Sequence, residues 1–303
     1  MLAWTTSSTG PVLRTVPDPV PGEDELLVRV EAFAPNPGDL AALQAAPDGT
    51  VPGWDGVGTV IEGAANGSGP KKGERAVFLG MDGGWAQQRR VSTAMVAAAD
   101  HDFSWDHLAS LPVPATSALR ALRRLGSVLG KRVLVVGAGS AVGVAAVQLA
   151  ARSGAHVVAV ARNERLHERL RSLGARETHV TVESVGGPVH NAIDMVGGKG
   201  LVTAYGLLGP GGTVIALGHA AGEPEHFPFG AFVADPSTAD RSITSFFLGS
   251  EPDLDAELEY LGSRADLDLG PTETKPWTEL ARWIESGAPR EQGRVVFRVE
   301  HRR

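Results

Sequence analysis

Short apolar runs alternate with polar turn residues over the first hundred positions of the chain. The runs are ELLVRVEAFA (Glu25–Ala34), GVGTVIEG (Gly56–Gly63), RAVFLG and WAQQRRVS. They are separated by PNPGD, AANGSGPKKG and MDGG, in which glycine, proline and asparagine favour turns. Short strands separated in this way predict an all-β unit or barrel.

From about Ser117 the apolar period lengthens, and strand patterns alternate with helix patterns. This alternation predicts an α/β fold, a doubly wound parallel sheet, and apolar strands such as VLVVG fit burial on both faces. The predicted helices cover residues 117–130, 141–153, 164–173 and 199–208. The predicted strands cover residues 131–137, 156–161, 178–182, 190–196, 212–218 and 243–249.

The pattern changes again after residue 250. We predict a helix over 253–262 and a second over 276–287, which Pro276 opens near its first turn. The alternating run GRVVFRVE (Gly293–Glu300) predicts a final strand. Because this strand has the character of the first hundred residues, we expect it to pair there.

Composition limits the partners that the chain can have. The chain has 303 residues, is 43% hydrophobic and carries a net charge of −7, so we expect no nucleic-acid partner. The apolar runs are too short to span a bilayer, and the start MLAWTTSSTGP lacks the features of a signal peptide. We therefore expect no membrane partner and a soluble, cytoplasmic protein. The basic cluster RALRRLG (Arg120–Gly126) is interpreted as a solvated helix face rather than an anion site.

A glycine-rich turn joins the first predicted parallel strand to its helix. Gly137, Gly139 and Gly143 are spaced as G-x-G-x-x-x-G, one residue longer than the strict dinucleotide motif. A helix that starts near Ala141 presents unpaired amides and the positive end of its dipole to an anion. Small residues let the backbone approach a pyrophosphate, so we assign to the cofactor site Ala138, Gly139, Ser140, Ala141, Val142 and Gly143. The alternative is an ordinary tight turn without a ligand.

The end of the second strand favours NADPH over NADH. An NAD site places Asp or Glu there to bind the ribose hydroxyls. Here Ala161 takes that position, and Arg162 with Asn163 follow, which suits a 2′-phosphate. The alternative is that Arg162 is a solvent-facing loop residue.

Several motifs resemble the medium-chain dehydrogenase/reductase superfamily, and within it the zinc-independent quinone oxidoreductase-like branch. The motifs follow the family's order along nearly the whole chain: FAPNPGDL, VPGWDGVGTV, LPVPATSALRALRRLG, the strand–turn–helix–strand from Val133, IDMVGG, LLGPGGTVIALG and GRVVFRV. The resemblance implies a GroES-like catalytic domain from residues 1–115 and 256–303, and a Rossmann NADPH-binding domain from 116–255. It also implies a cleft between them, hydride transfer to a small-molecule quinone or enone, and a homodimer formed through ITSFFLG.

The resemblance also implies roles for particular residues. Asn36 is the candidate contact to substrate or nicotinamide. Asp39 is expected to fix its loop, and direct participation in catalysis is the alternative. His219 is a possible acid or a simple loop histidine. Ser117 matches a cofactor-contacting threonine of relatives. We add to the cofactor site Leu217, Gly218, Phe247 and Leu248. Asp194 is interpreted as structural, and water is an alternative proton source.

No metal is expected. The chain has no cysteine, and Trp54 stands between Gly53 and Asp55 where zinc-dependent relatives have G-H-E. The spacing of His101, His107 and His219 does not mark a site. The chain also departs from its branch, because the loop between Asp39 and Pro52 lacks the usual tyrosine, and the chain is short.

Three functions are consistent with these features. The first is an NADPH-dependent reductase of quinones or α,β-unsaturated carbonyls. The second is a biosynthetic tailoring enzyme that acts on one specialised intermediate, to which the missing tyrosine points. The third is a non-catalytic NADPH-binding protein, because binding and turnover share the same turn.

Overall fold

The chain forms two units in the computed structural model, which describes residues 1–233, 235–250, 254–263, 267–270, 272–288 and 293–301. One unit consists of Met1–Thr116 with Glu251–Arg303, and the other of Ser117–Ser250. The first unit is therefore built from both ends of the chain.

The first unit is β-rich. Its strands are β1 (Leu2–Thr5), β2 (Val12–Thr15), β3 (Glu25–Phe33), β4 (Asp55–Glu62), β5 (Arg75–Leu79), β6 (Gln88–Ser92), β7 (Val96–Ala98), β14 (Thr272–Pro276) and β15 (Arg294–Arg298). Its helices are α1 (Pro37–Ala42), α2 (Trp105–Ser110), α7 (Asp255–Gly262) and α8 (Leu280–Glu285), with 3₁₀ turns at Thr93–Met95 and Trp277–Glu279.

The final strand pairs with the first hundred residues, as predicted. β15 lies antiparallel to β3, with Phe297 opposite Phe33, in a seven-stranded sheet of order β14-β15-β3-β4-β5-β7 in which β6 also pairs with β3. The rings of Phe33 and Phe297 stack with their centroids 5.7 Å apart. Trp277 and Trp283 belong to the same buried cluster, so burial of these aromatic side chains ties the end of the chain to its start.

The second unit alternates strands and helices. Its strands are β8 (Arg132–Val136), β9 (His156–Val160), β10 (Ala175–His179), β11 (Val189–Asp194), β12 (Leu208–Ala216) and β13 (Ser242–Ser245). Its helices are α4 (Ala141–Arg152), α5 (His167–Ser172) and α6 (Gly198–Gly206), with 3₁₀ turns at Glu164–Leu166, Val182–Ser184 and Leu248–Ser250. The helix α3 (Pro112–Arg124) contains the division between the units.

The six strands of this unit are parallel and follow the order β10-β9-β8-β11-β12-β13. This is the doubly wound order in which a dinucleotide binds at the carboxyl ends of the central strands. The predicted fold class is confirmed. The reason is visible in β8, where residues Val133–Val136 are buried, as expected of a strand that is covered on both faces.

Several predicted boundaries are wrong. The strand predicted over 178–182 is Ala175–His179, and the helix predicted over 164–173 begins as a 3₁₀ turn. Only Ser242–Ser245 of the last strand pairs with β12, and Leu248–Ser250 turns instead. Pro276 ends strand β14, which the sequence did not predict. It also caps the 3₁₀ turn Trp277–Glu279, so the α-helix that follows begins only at Leu280.

The prediction of a solvated basic face on α3 is also wrong at Arg120. Its side chain is 1% exposed, and its guanidinium donates a 2.7 Å hydrogen bond to the carbonyl oxygen of Leu248. Arg124 donates at 2.7 Å to the hydroxyl of Ser250, whereas Arg123 is exposed. Arg120 and Arg124 therefore hold the segment that follows β13.

Candidate functional site

The glycine-rich turn lies between β8 and α4, at the carboxyl end of a central strand. Gly137 has a φ of 83°, in the left-handed region that favours glycine. Ser140 caps α4, and its hydroxyl accepts a 3.0 Å hydrogen bond from the amide of Gly143. The helix therefore starts at Ala141, as predicted, and its positive end faces out from the strand end.

Three amides of this turn stay available to a ligand. The amides of Gly137 and Ala138 both donate to Val160, and that of Ser140 donates to Gly137. Within the described part of the chain no hydrogen bond uses the amides of Gly139, Ala141 and Val142. Such a group of N–H donors at a helix start suits a phosphate.

Gly143 is required by the close approach of α4 to the turn. A Cβ atom at this position would lie 2.6 Å from the Cα of Ala138, and closer still to the carbonyl oxygen of Gly137. A Cβ at Gly139 would meet Leu166 Cδ1 at 2.8 Å, so the side chain of Leu166 covers one side of the turn. The turn thus depends on glycine at Gly143, where the close atoms are backbone, whereas at Gly139 the flexible end of Leu166 could move aside.

The end of β9 carries a cation and no carboxylate. Ala161 is buried, and Arg162 and Asn163 are exposed. Asn163 Oδ1 accepts a 3.1 Å hydrogen bond from the amide of Arg165 and so starts the next turn. Among the described residues none forms a hydrogen bond or ion pair with Arg162, which leaves its guanidinium available to an anion.

A second group of residues lies at the carboxyl ends of β11 and β12. Asp194 Oδ1 accepts hydrogen bonds from the amides of Val196 (2.8 Å) and Gly197 (2.6 Å). Burial raises the pKa of Asp194, although these two amides oppose the shift. His219 follows β12, and its Nε2 lies 2.8 Å from Oε1 of Glu225. A Cβ at Gly137 would lie 3.1 Å from Val196, so this group adjoins the glycine-rich turn.

The other predicted cofactor residues of this unit lie in three places. Ser117 is buried in α3. Leu217 and Gly218 continue from β12, where both amides donate to the carbonyl oxygen of Asp194. Phe247 is 57% exposed, and Leu248 is held by Arg120. Their contacts to a cofactor stay predictions.

Asn36 and Asp39 meet in the first unit, inside a buried polar network. Asn36 Nδ2 donates at 2.9 Å both to Asp39 Oδ2 and to Asp55 Oδ1. Asn36 Oδ1 accepts a 3.0 Å hydrogen bond from Arg294. Both amide protons of Asn36 are therefore used inside the protein, and this geometry gives Asn36 a structural function. Its predicted contact to substrate or nicotinamide stays a prediction.

The same network fixes the starts of several elements. Asp39 Oδ1 accepts from the amide of Trp54 (2.8 Å), and Asp39 Oδ2 accepts from that of Asn36 (2.7 Å), which caps α1. Asp55 Oδ2 accepts from the amide of Val113 (3.0 Å) at the start of α3. Arg294 donates to the carbonyl oxygen of Ala34 at 2.8 Å. These contacts agree with the expected role of Asp39 as a residue that fixes its loop.

Burial dominates the electrostatics of this network. Desolvation raises the pKa of Asp55 to about 7, against the opposing charge of Arg294. It also raises the pKa of Asp39 and lowers that of Arg294. Burial lowers the pKa of Arg89 to about 10. The interior of this unit therefore holds two buried carboxyl groups and two buried guanidinium groups. The stability of each charged form depends on its hydrogen-bond and ion-pair partners.

Sequence reasoning missed four residues of these networks. Arg294 and Asp55 could have been identified from the sequence, because both are charged residues next to apolar strand positions. A charged residue that is buried there needs a partner. Arg120 had a weaker one, since it interrupts an apolar helix face. Glu225 stands in a polar loop, and only the folded chain brings it to His219.

Neither a cluster of metal ligands nor a membrane-spanning helix occurs in the described ranges. Within them, no cluster of three or more His, Cys, Asp or Glu residues has the arrangement of a metal site. In the same ranges, no helix has the length and apolar character that crossing a bilayer requires. The position that matches the zinc motif of relatives holds Trp54, whose ring covers Gly38 in α1.

Comparison with known proteins gives matches along most of the chain. A profile named alcohol dehydrogenase GroES-like domain matches residues 22–101, and one named zinc-binding dehydrogenase matches residues 141–262. A probable zinc-binding oxidoreductase, mitochondrial, from Arthroderma benhamiae is 29% identical over 95% of this chain and 92% of its own. The chain spans only 11% of the length of a highly reducing polyketide synthase from Leptosphaeria maculans, which is 26% identical over 88% of this chain.

Solved structures share the whole fold. A 2-haloacrylate reductase superposes with a TM-score of 0.84 and 22% identity, over 99% of this chain and 100% of that one. A quinone oxidoreductase from Pseudomonas syringae pv. Tomato DC3000 gives a TM-score of 0.84 and 20% identity, over 98% and 99%. The two profiles together match more than half of the chain. The chain therefore belongs to the medium-chain dehydrogenase/reductase superfamily, with the fold of its quinone oxidoreductase-like branch.

Proposed function

We propose that this oxidoreductase uses NADPH to reduce an activated carbon–carbon double bond, in a quinone or an α,β-unsaturated carbonyl compound. The observation that carries the proposal is a pair of features: three amides at the start of α4 and the guanidinium of Arg162 at the end of β9, none of which has a partner among the described residues. The first suits the pyrophosphate and the second suits a 2′-phosphate.

The residues fit a dinucleotide. A Cβ at Gly143 would clash with the backbone of the turn, and the amide of Ala141 belongs to a residue with a small, partly exposed side chain. A bound NADPH supplies a hydride. The chain contributes the amides of Gly139, Ala141 and Val142 as phosphate donors, which fix the cofactor at the carboxyl edge of the sheet.

Selection of NADPH over NADH rests on Arg162. A carboxylate at the end of β9 would accept hydrogen bonds from the ribose hydroxyls and repel a 2′-phosphate, whereas buried Ala161 does neither. The Arg162→Ala variant should bind NADPH at least about tenfold more weakly and bind NADH unchanged, since one charge-assisted contact contributes roughly 1.5–3 kcal/mol. Arg14→Ala, an exposed position of β2 in the other unit, is the matched control.

The substrate class is supported by the names of two proteins of the same fold. One is a 2-haloacrylate reductase and the other a quinone oxidoreductase, and both substrates contain a double bond conjugated to a carbonyl group. Hydride addition to the β-carbon of such a substrate leaves negative charge on the carbonyl oxygen, which a hydrogen-bond donor must stabilise. A proton is then required at the α-carbon.

We further propose that the reaction needs no zinc. The carboxylate of Asp55 is already bonded to Asn36 and Val113, Trp54 has no metal-binding atom, and the chain has no cysteine. Activity should survive prolonged incubation with a strong chelator. Loss of activity on chelation, restored by zinc, would contradict this part of the proposal.

A homodimer formed through β13 is also proposed. This strand ends the sheet, so its outer edge carries backbone groups that a second β13 can pair with. Light scattering should give twice the monomer mass. The amide of Phe246 donates to Ala216 of β12, so the alternate amide of Ser245 faces the outer edge, and Ser245→Pro, which removes that amide, should give monomers.

The function is tested by fluorescence titration with NADPH and NADH, followed by NADPH oxidation against a panel of quinones and enones. Turnover of one acceptor class identifies the substrate. Binding without turnover on any acceptor would favour a tailoring enzyme of one specialised intermediate or a non-catalytic NADPH-binding protein. Absence of binding would refute the proposal.

A further inference from the structure

Glu225 forms two hydrogen bonds that join the loop after β12 to the start of α6. Its Oε1 accepts from the amide of Gly198 at 2.9 Å and lies 2.8 Å from Nε2 of His219. The carboxylate therefore stands at the positive end of a nine-residue helix and holds an imidazole there. The pKa of Glu225 is lowered mainly by the hydrogen bond from the Gly198 amide, and to a smaller extent by His219.

The ring of His219 is held against backbone as well. A Cβ at Gly197 would lie 3.0 Å from Cγ and Nε2 of His219, and closer still to Cδ2. Gly197 is itself fixed by Asp194, and Val196 borders the glycine-rich turn at Gly137. His219 is thus positioned at the same sheet edge as the proposed phosphate donors, within one unit.

These contacts determine which nitrogen of His219 exchanges a proton. An ionised Glu225 accepts only, so it requires hydrogen on Nε2. Nδ1 has no hydrogen-bond partner in the described ranges, and the side chain is 51% exposed. The neutral ring is therefore the Nε2–H tautomer, and a protonated ring presents Nδ1–H outward.

Three carboxyl groups lie at or near His219 in the described part of the chain. Glu225 contacts it directly, and Asp194 interacts with it electrostatically. Glu223 lies nearby against Gly198.

We propose that Glu225 is a positioning residue that sets the tautomer and charge of His219, and that His219 Nδ1 donates the proton in the reduction. The inference rests on the proposed function. As hydride reaches the β-carbon, the C=C π pair shifts towards the carbonyl and an enolate forms. The α-carbon then takes the proton from Nδ1, and the neutral imidazole regains one from water.

The test compares three single variants and the double variant Glu225→Gln/His219→Asn. Glu225→Gln keeps an acceptor for the Gly198 amide and removes the charge, and His219→Asn removes the acid. His156→Gln is the matched control, because His156 Nε2 also lies 2.8 Å from a carboxylate, that of Glu177, at the start of β9. Each variant is examined by NADPH titration, kcat over pH 5–10, and imidazole ¹⁵N NMR.

We expect all three variants to bind NADPH within about twofold of the wild type. His219→Asn should lower kcat about 100-fold, the lower range for a general acid. Glu225→Gln should lower kcat about tenfold and move the alkaline fall of kcat to lower pH, and the double variant should be no worse than His219→Asn. In wild-type protein the NMR spectrum should show His219 as the Nε2–H tautomer.

Other results overturn the inference. Unchanged kcat in His219→Asn, an unmoved pH profile in Glu225→Gln, or the Nδ1–H tautomer would refute it while leaving the reductase proposal intact. NADPH binding without reduction of any acceptor removes the proton step and refutes it too. Absence of NADPH binding refutes the proposed function itself, so the two failures are distinguishable.

Discussion

Adding one methyl group at Gly143 should damage the glycine-rich turn. In Gly143→Ala the new Cβ would lie 2.6 Å from the Cα of Ala138, whereas ordinary contact begins at 3.4 Å, so backbone must move by about 0.8 Å. Overpacking against backbone costs about 1–3 kcal/mol, which the higher helix propensity of alanine offsets by up to about 1 kcal/mol. The same displacement moves the amides of Ala141 and Val142, and loss of about 1.4 kcal/mol of phosphate binding weakens NADPH about tenfold.

A second glycine in a helix provides the control. Gly206 ends α6, is exposed, and a Cβ there would meet nothing within 4 Å. Gly206→Ala should raise the free energy of unfolding by up to about 1 kcal/mol and leave NADPH binding unchanged. Urea denaturation and fluorescence titration measure both quantities. If Gly143→Ala is as stable as Gly206→Ala and binds NADPH normally, the turn does not need its close approach, and the reasoning fails.

Three further predictions concern the buried polar groups. Asn36→Ala leaves three buried partners unsatisfied and should lower the free energy of unfolding by about 3 kcal/mol or more. The control Asn66→Ala, at an exposed position, should change it by under about 1 kcal/mol. Equal effects of the two variants in urea denaturation would contradict the network. Burial raises the folded-state pKa of Asp55 from 3.8 to about 7, so its contribution is full below about pH 3.8, declines as pH rises and is lost above about 7. Asp55→Asn should remove this decline, on the order of 4 kcal/mol, and an unchanged slope of stability against pH would refute the shift. Arg120→Met should cost about 2 kcal/mol through its lost bond to Leu248, and a stability equal to wild type would show that Arg120 is not required there.

The position of the phosphate turn was predictable from sequence because its determinants are local. Gly137, Gly143 and the cap Ser140 lie within seven residues, and each acts through backbone geometry that the sequence specifies. The hydroxyl of Ser140 accepts from the amide of Gly143, and within the described ranges the amides of Gly139, Ala141 and Val142 have no hydrogen-bond partner.

The long-range contacts were not predictable in the same way. The basic run on α3 had the composition of a solvated face, yet Arg120 points inward because the segment after β13 supplies a carbonyl 128 residues away. Glu225 lies in a loop without periodicity. Its carboxylate gains a partner only because α6 begins at Gly198, whose amide donates to it. Asn36 was selected by its motif, but its amide is held by the neighbouring Asp39 and by two partners from distant elements, Asp55 and Arg294.

The central claim is that the turn at Gly139–Val142 binds the pyrophosphate of a reduced pyridine nucleotide. Isothermal titration calorimetry of the purified chain with NADPH, and separately with NADH, tests it most directly. The account predicts one site per chain, micromolar affinity for NADPH and at least about tenfold weaker binding of NADH, roughly 1.4 kcal/mol. No heat of binding with either nucleotide would contradict it.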